Sequence, residues 1–160
     1  MKILDACCGS KMFWYDKHEP HTTYMDNRSE VGQFKDRDYI RNVVVDPDII
    51  GDFRKLPFED NEFDLVIFDP PHLINAGDNS WLKIKYGRLP KNDWPSYISD
   101  GFAECMRVLK PTGTLLFKWS SDQISFSDVF KAIGQKPILG DRRGRTRWSV
   151  FIKGKEKCEL

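Results

Sequence analysis

The hydrophobic positions of this chain fall in short runs, each closed by charge, glycine or proline. Leu65-Val66-Ile67-Phe68 is apolar and rich in β-branched and aromatic residues, with Asp64 before it and Pro70-Pro71 soon after, which predicts a fully buried parallel strand. Similar runs predict strands over 2–6, 22–25, 49–52, 114–119 and 148–152, and shorter ones over 43–45 and 137–139. Helical spacing is rarer. Ile98, Phe102, Cys105, Met106 and Leu109 share one face of a helix opening at Asp93-Trp94-Pro95, with aspartate as N-cap and proline in the first turn; Lys110-Pro111-Thr112-Gly113 ends it. Ser125 caps a second helix that runs to Ile133, and Met12 to Asp16 opens a short one that Pro20 stops. Residues 27–41 are strongly charged and predict an exposed helix or an irregular segment. Strands alternating with helices, then a closing pair of strands, predict an α/β fold whose mostly parallel sheet ends in a C-terminal antiparallel hairpin strand.

Composition narrows the class without naming a chemistry. A length of 160 residues fits a single domain over 1–160, and 40% hydrophobic with 31% charged residues is ordinary for a globular protein. Lys and Arg number 25 against 24 Asp and Glu, so the net charge of +1 gives no overall basic field, and any nucleic-acid surface must be local. No apolar run approaches the roughly 20 residues of a membrane span, and Asp5 interrupts any leader-like start, so a cytoplasmic protein with no membrane partner is expected. Cys7, Cys8, Cys105 and Cys158 lack the spacing of a disulfide framework or a zinc site, and no metal is expected.

Four aspartates, Asp5, Asp26, Asp52 and Asp69, stand at the ends of successive predicted strands, the edge where open α/β sheets bind ligands. One such residue is usually a strand-end cap; four in order point to a site. Asp26 follows Gly9 by 17 positions, close to the spacing at which a carboxylate accepts from both hydroxyls of a ribose. The first turn holds Gly9 alone, without Gly-x-Gly-x-x-Gly or a P-loop. That disfavours a pyrophosphate ligand, and with it a nicotinamide dehydrogenase, and favours a nucleoside needing no phosphate cradle. Asp52 suits an adenine amino group, with Phe53 supplying a backbone N–H and an apolar face. Asp69 is followed by two prolines that fix φ twice, so its carboxylate and the rigid Pro70 carbonyl can together accept both protons of an –NH2 group. His72 adds a flat ring for stacking.

These residues carry a family resemblance over about residues 2–152. Asp5-Ala6-Cys7-Cys8-Gly9-Ser10-Lys11-Met12-Phe13 resembles the cofactor loop of class I S-adenosylmethionine-dependent methyltransferases of the amino-methylating kind, which have a Rossmann-like fold. Asp69-Pro70-Pro71-His72 resembles their Asp-Pro-Pro-aromatic catalytic motif, 51–58 their adenine-contacting segment, and 107–115 their helix-turn-strand. The resemblance implies S-adenosylmethionine as cofactor, held by Asp5, Ala6, Cys8, Gly9, Lys11, Asp26, Asp52, Phe53 and Asp69. It implies catalysis by Asp69, Pro70 and His72, transferring a methyl group to an amino nitrogen, with the exocyclic amine of a nucleobase (adenine N6 type) in DNA or RNA as leading acceptor. Lys11 and Met12 replace the usual small residues, and His72 stands where Tyr, Phe or Trp usually stacks.

Two further stretches are candidates for holding substrate. The long connection 73–94 interleaves Trp81, Lys83, Lys85, Tyr86, Arg88, Lys91 and Trp94, the mixture of cations and rings that grips single strands. Arg142 to Arg147 holds four arginines in six residues, a pattern suited to phosphate or carboxylate and otherwise a solvated turn. Pro71, Trp81, Lys85, Tyr86, Arg143 and Arg145 are the substrate-side candidates. No separate target-recognition domain is expected. The alternatives are an amino-methyltransferase acting on a protein side chain or small molecule, and a non-catalytic cofactor-binding subunit whose partner supplies recognition.

Overall fold

A computed structural model describes residues 1–154. Its elements in chain order are β1 (Ile3–Asp5), β2 (Thr22–Asp26), β3 (Glu30–Asp36), β4 (Tyr39–Val45), β5 (Ile49–Ile50), β6 (Phe63–Phe68), α1 (Trp81–Tyr86), α2 (Trp94–Val108), β7 (Leu109–Ser120), α3 (Phe126–Ile133), β8 (Leu139–Gly140) and β9 (Thr146–Ile152). Seven strands form one sheet in the order β5-β2-β1-β6-β7-β9-β8. β5, β2, β1, β6 and β7 run parallel, and β9 pairs antiparallel with both β7 and β8. The expected α/β, Rossmann-like fold with a mostly parallel sheet and a closing antiparallel strand is the one observed.

The alternation of the strands explains which face is covered. Leu4, Val66, Phe68, Leu115, Phe117 and Phe151 point to one face, all fully buried against Ile98, Phe102 and Cys105 of α2 and Val129 and Ile133 of α3. α2 lies so close that a Cβ added to Gly101 would come within 2.8 Å of Phe68 Cζ and of Phe53 Cε2, so glycine there is a packing requirement. The reverse face is built from the intervening positions, among them Ile3, Leu65, Leu116 and Trp148. Those four are only half-buried, roofed in part by Phe13 and Trp14 from the β1–β2 connection. The molecule is therefore helical on one face of its sheet, and no described helix packs on the other.

Several expected elements differ. The short helix over Met12 to Asp16 is a series of turns: Lys11 adopts a left-handed φ of 53°, and Asp16 Oδ1 accepts from His18 N. Residues 27–41 hold no helix; 30–45 form an antiparallel hairpin, β3–β4, with Arg37 at φ 55° in the two-residue turn between Asp36 and Tyr39. The third core strand is only the two-residue edge strand β5. Asp93 precedes α2 but makes no side-chain cap; the Ser96 hydroxyl instead donates to the Asp93 carbonyl. The expected turn over 110–113 is drawn into β7, where the pairing with β6 shifts register between Phe63 and Leu65. Ser125 does cap α3, accepting from Asp128 N. No described helix is long and apolar enough to cross a membrane.

Candidate functional site

The strand order reverses direction at β1: the chain proceeds outward through β2 and β5, then returns to lay β6 on the other side. At such a switch point two strand-following loops part and leave a crevice at the carboxyl edge. Here those loops are Ala6 to Phe13 after β1 and Asp69 to His72 after β6. A cavity lies between them, lined by Ala6, Cys7, Cys8, Gly9, Ser10, Met12 and Phe13 from the first loop and Asp69, Pro70, Pro71 and His72 from the second. Asp26, Asn27 and Arg28 close one side, Phe53 another, and Lys85, Tyr86 and Gly87 of the α1 segment a third.

The first loop is pinned to its neighbours by its own backbone. Ala6 N donates to Ile67 O, Cys8 N to Met25 O and Lys11 N to Cys8 O. Gly9, at φ +51° with open space where a Cβ would stand, donates its N–H to Asp26 Oδ2 at 2.8 Å. Asp26 is 7% exposed; its burial pushes its carboxyl above the ordinary range, while the Gly9 N–H and the Arg28 guanidinium pull it back. Asp26 Oδ1 accepts only a long bond, 3.3 Å, from Arg28 N, so this oxygen keeps accepting capacity at the cavity wall.

Asp5 is placed differently from the other carboxylates. It has no exposed surface and lies beneath the cavity, where Oδ2 accepts from Trp14 Nε1 at 2.7 Å and Oδ1 from Cys7 N at 3.4 Å. Burial pushes its carboxyl up to about 7; the Trp14 bond opposes this, and the charges of Asp69 and Asp26 add to it. The thiols of Cys7 and Cys8 are pushed up by burial as well, so neither is a thiolate at neutral pH. No group of three or more His, Cys, Asp or Glu among the described residues is placed to hold a metal ion.

Asp69 follows β6 directly. Its side chain is 18% exposed, and Oδ2 accepts from Lys118 Nζ of β7 at 2.6 Å. Burial raises its carboxyl and the Lys118 charge lowers it. His72 packs its ring 5.3 Å from that of Tyr86, tilted by 53°; burial first, then Lys118, holds its imidazole below its ordinary value, which keeps it neutral at pH 7. A second cavity adjoins the first beyond this point. Met12, Asp69, His72 and Tyr86 border both; Lys118, Ser120, Asp122 and Thr146 belong to the second.

The other candidate residues divide. Ala6, Cys8, Gly9, Asp26, Phe53, Asp69, Pro70, Pro71, His72, Lys85 and Tyr86 share the first cavity. Asp52 does not line it: its carboxylate clasps the Arg54 guanidinium, which lies 3.8 Å over the Tyr97 ring. Lys11 is also turned away, its ammonium donating to Lys17 O and sitting 3.9 Å over the Tyr24 ring. Trp81 stands outside, in a cleft with Tyr39 and Arg41. Arg143 is exposed, and Arg145 Nη1 reaches 3.5 Å from Asp122 Oδ1, at the mouth of the second cavity. Lys118, Asn27 and Arg28 were not anticipated. Lys118 is detectable as one charge at a reverse-face position in an otherwise apolar strand; Asn27 and Arg28 carry no signal beyond following Asp26.

No protein-family model matches the chain. It is 28% identical to a demethylmenaquinone methyltransferase of Staphylococcus saprophyticus over 99% of its own length, and 29% identical to the type II methyltransferase M.BglII of Bacillus subtilis over 58%. It spans 59% and 25% of the lengths of these curated relatives. Among solved structures, a TehB-like S-adenosylmethionine-dependent methyltransferase from Corynebacterium glutamicum is similar over 96% of this chain and 80% of that one, at 15% identity and a TM-score of 0.56. The chain has the Rossmann-like fold of S-adenosylmethionine-dependent methyltransferases.

Proposed function

We propose that this chain transfers a methyl group from S-adenosylmethionine to an amino nitrogen, and that the acceptor is the exocyclic amine of a nucleobase, adenine N6 by type, in DNA or RNA. The observation that carries this reading is the wall shared by two cavities: Asp69 and His72 border both, so a donor on one side would meet an acceptor on the other.

The first cavity fits the cofactor by the chemistry of its lining. Asp26 offers a carboxylate oxygen to ribose hydroxyls, Phe53 an apolar surface to adenine, and Gly9 leaves the loop open where a side chain would intrude. When bound, S-adenosylmethionine supplies an electrophilic methyl on a positively charged sulfur. On the second side, Asp69 Oδ1 receives no hydrogen bond among the described residues, so it can accept an N–H of the acceptor amine. The Pro70 carbonyl, stiffened by two prolines, would take the other proton. Held this way, the nitrogen would turn its lone pair toward the donor, and Asp69 would offset the positive charge developing there. As the N–C bond formed, the C–S bond would break with its electron pair left on sulfur, and the proton leaving the nitrogen would go to Asp69. Neutral His72 presents a flat face for the base. The exposed arginine hairpin, with Arg145 Nη1 3.5 Å from Asp122 Oδ1, offers cations suited to a phosphate backbone.

The test is incubation with methyl-labelled S-adenosylmethionine and total DNA, RNA and protein, followed by locating the label. Label in N6-methyladenine, absent with Asp69→Ala, is the expected result. Label on protein or small molecules alone would move the acceptor out of nucleic acid, and cofactor binding without transfer to any fraction would leave a cofactor-binding subunit.

A further inference from the structure

We propose that Lys118 is the positioning residue for Asp69, holding that carboxylate ionised and engaging Oδ2 so that Oδ1 is left for the acceptor. The inference rests on the proposed transfer to an amine, and it adds that Lys118 sets the lowest pH at which transfer runs.

Lys118 is a half-buried cation in a largely apolar strand, between the fully buried Phe117 and the nearly fully buried Trp119. Strand alternation turns it to the reverse face, where its side chain is 19% exposed and its ammonium lies 5.2 Å from the Phe13 ring and 5.8 Å from the Trp148 ring. Its described hydrogen bond goes to Asp69 Oδ2. Withdrawing an ammonium from water is unfavourable unless a charge answers it, so the position is specific to the pair.

The surroundings of Asp69 show what the pair does. From β1 and its loop it faces Asp5 and Cys7, and Asp26 lies across the same edge on β2. His72, on its own loop, is held neutral. Arg28 lines the cavity on the Asp26 side, Lys85 and Tyr86 line it from the α1 segment, and Asp122 lies beyond Lys118. Asp5, Asp26 and Asp69 thus share one strand edge where burial raises each carboxyl, and a raised carboxyl holds its proton to higher pH. A protonated Asp69 would donate where the mechanism needs it to accept. Lys118 is the cation in direct contact with Asp69, and its charge and hydrogen bond oppose the burial that raises this carboxyl.

A lysine that only stabilised the fold would leave the protonation of Asp69 unchanged. The deciding measurement is therefore the titration of the Asp69 carboxyl carbon by 13C NMR, assigned with Asp69→Asn, in wild type, Lys118→Met and Lys118→Arg. An opposite charge at this distance is worth roughly one to three pH units, so Lys118→Met should titrate at least about one unit higher than wild type, with Lys118→Arg close to wild type. Coincident titrations of wild type and Lys118→Met would overturn the proposal. Lys118→Gln serves the same comparison if the methionine variant does not fold. With labelled cofactor and the acceptor found above, Lys118→Met should transfer about tenfold or more slowly than wild type near pH 6 and recover near pH 9. An equal deficit at every pH would reduce Lys118 to a packing role. If wild type methylates nothing, the acceptor reading fails, while the carboxyl titrations still decide Lys118.

Discussion

Replacing Asp5 by Asn should change how stability depends on pH, and the structure fixes both the sign and the scale. Asp5 has no exposed surface, and its carboxyl is pushed up to about 7, chiefly by burial, from an ordinary 3.8. Between about pH 4 and pH 7 the folded chain therefore holds a proton at this position that the unfolded chain has released. Stability from this group is full below about pH 4 and is lost as pH rises through about 7. The interval corresponds to roughly 4 kcal/mol, and relaxation around the buried charge brings the expected loss to about 2–4 kcal/mol. Asn does not titrate. It can keep the acceptor for Trp14 Nε1, but its amide nitrogen would then face the Cys7 N–H, a cost that does not vary with pH. The observable is thus the difference between the two proteins, not either alone. Urea unfolding of wild type and Asp5→Asn from pH 4.5 to 8 should show the variant gaining about 2–4 kcal/mol on wild type, or about 4–16 °C in Tm for a chain of this size. Parallel curves would mean that Asp5 is ionised in the fold throughout, and that its neighbours do not act as described.

Three other perturbations follow from single contacts. Asp26→Ala removes the acceptor of Gly9 N–H and the carboxylate assigned to the ribose, so cofactor affinity by calorimetry should fall by about 1.5–3 kcal/mol; unchanged affinity in a folded variant would place the ribose elsewhere. Gly101→Ala must displace Phe53 and Phe68, which should lower stability in urea by about 1–3 kcal/mol and weaken cofactor binding through Phe53; a neutral effect on both would show that α2 can withdraw. Neutralising Arg143 and Arg145 together should flatten the dependence of log affinity for nucleic acid on log salt by about one unit per lost phosphate contact, and an identical slope would leave the hairpin a solvated turn.

The strands at the centre of the sheet were legible because one face is fully buried and the other is half-covered, in part by Phe13 and Trp14, so apolar residues fill both faces and the run is unbroken. β6 and its terminal Asp69 are the clearest case. The β3–β4 hairpin was not legible, because Val31, Tyr39, Ile40 and Val44 are exposed and no clean alternation separates an inner from an outer face. The cofactor-side loop could be read from Gly9 and its distance to Asp26, a spacing set by one crossover between adjacent parallel strands. Asp52 could not be judged from its position at a strand end, since what occupies it is Arg54 turning back two residues later. Lys118 was hidden for another reason: its partner is 49 residues away, and only the β6–β7 register brings the two together.

The place of β1 has a consequence for the order in which the molecule forms. It is three residues long, lies among the first residues of the chain, and occupies the middle of the sheet rather than an edge. One neighbour, β2, follows within about twenty residues; the other is β6, with Leu4 opposite Val66. Its second partner lies more than a third of the chain further on, so it is held from both sides only once that long connection closes. The loop that would grip the cofactor hangs from its end, with Ala6 N tied to Ile67 O. The shape of that loop therefore depends on the pairing of β1 with β6. The amide protons of Asp5 and Ala6 should accordingly exchange only through global unfolding, and a bound cofactor should slow them by the full measure of its binding free energy.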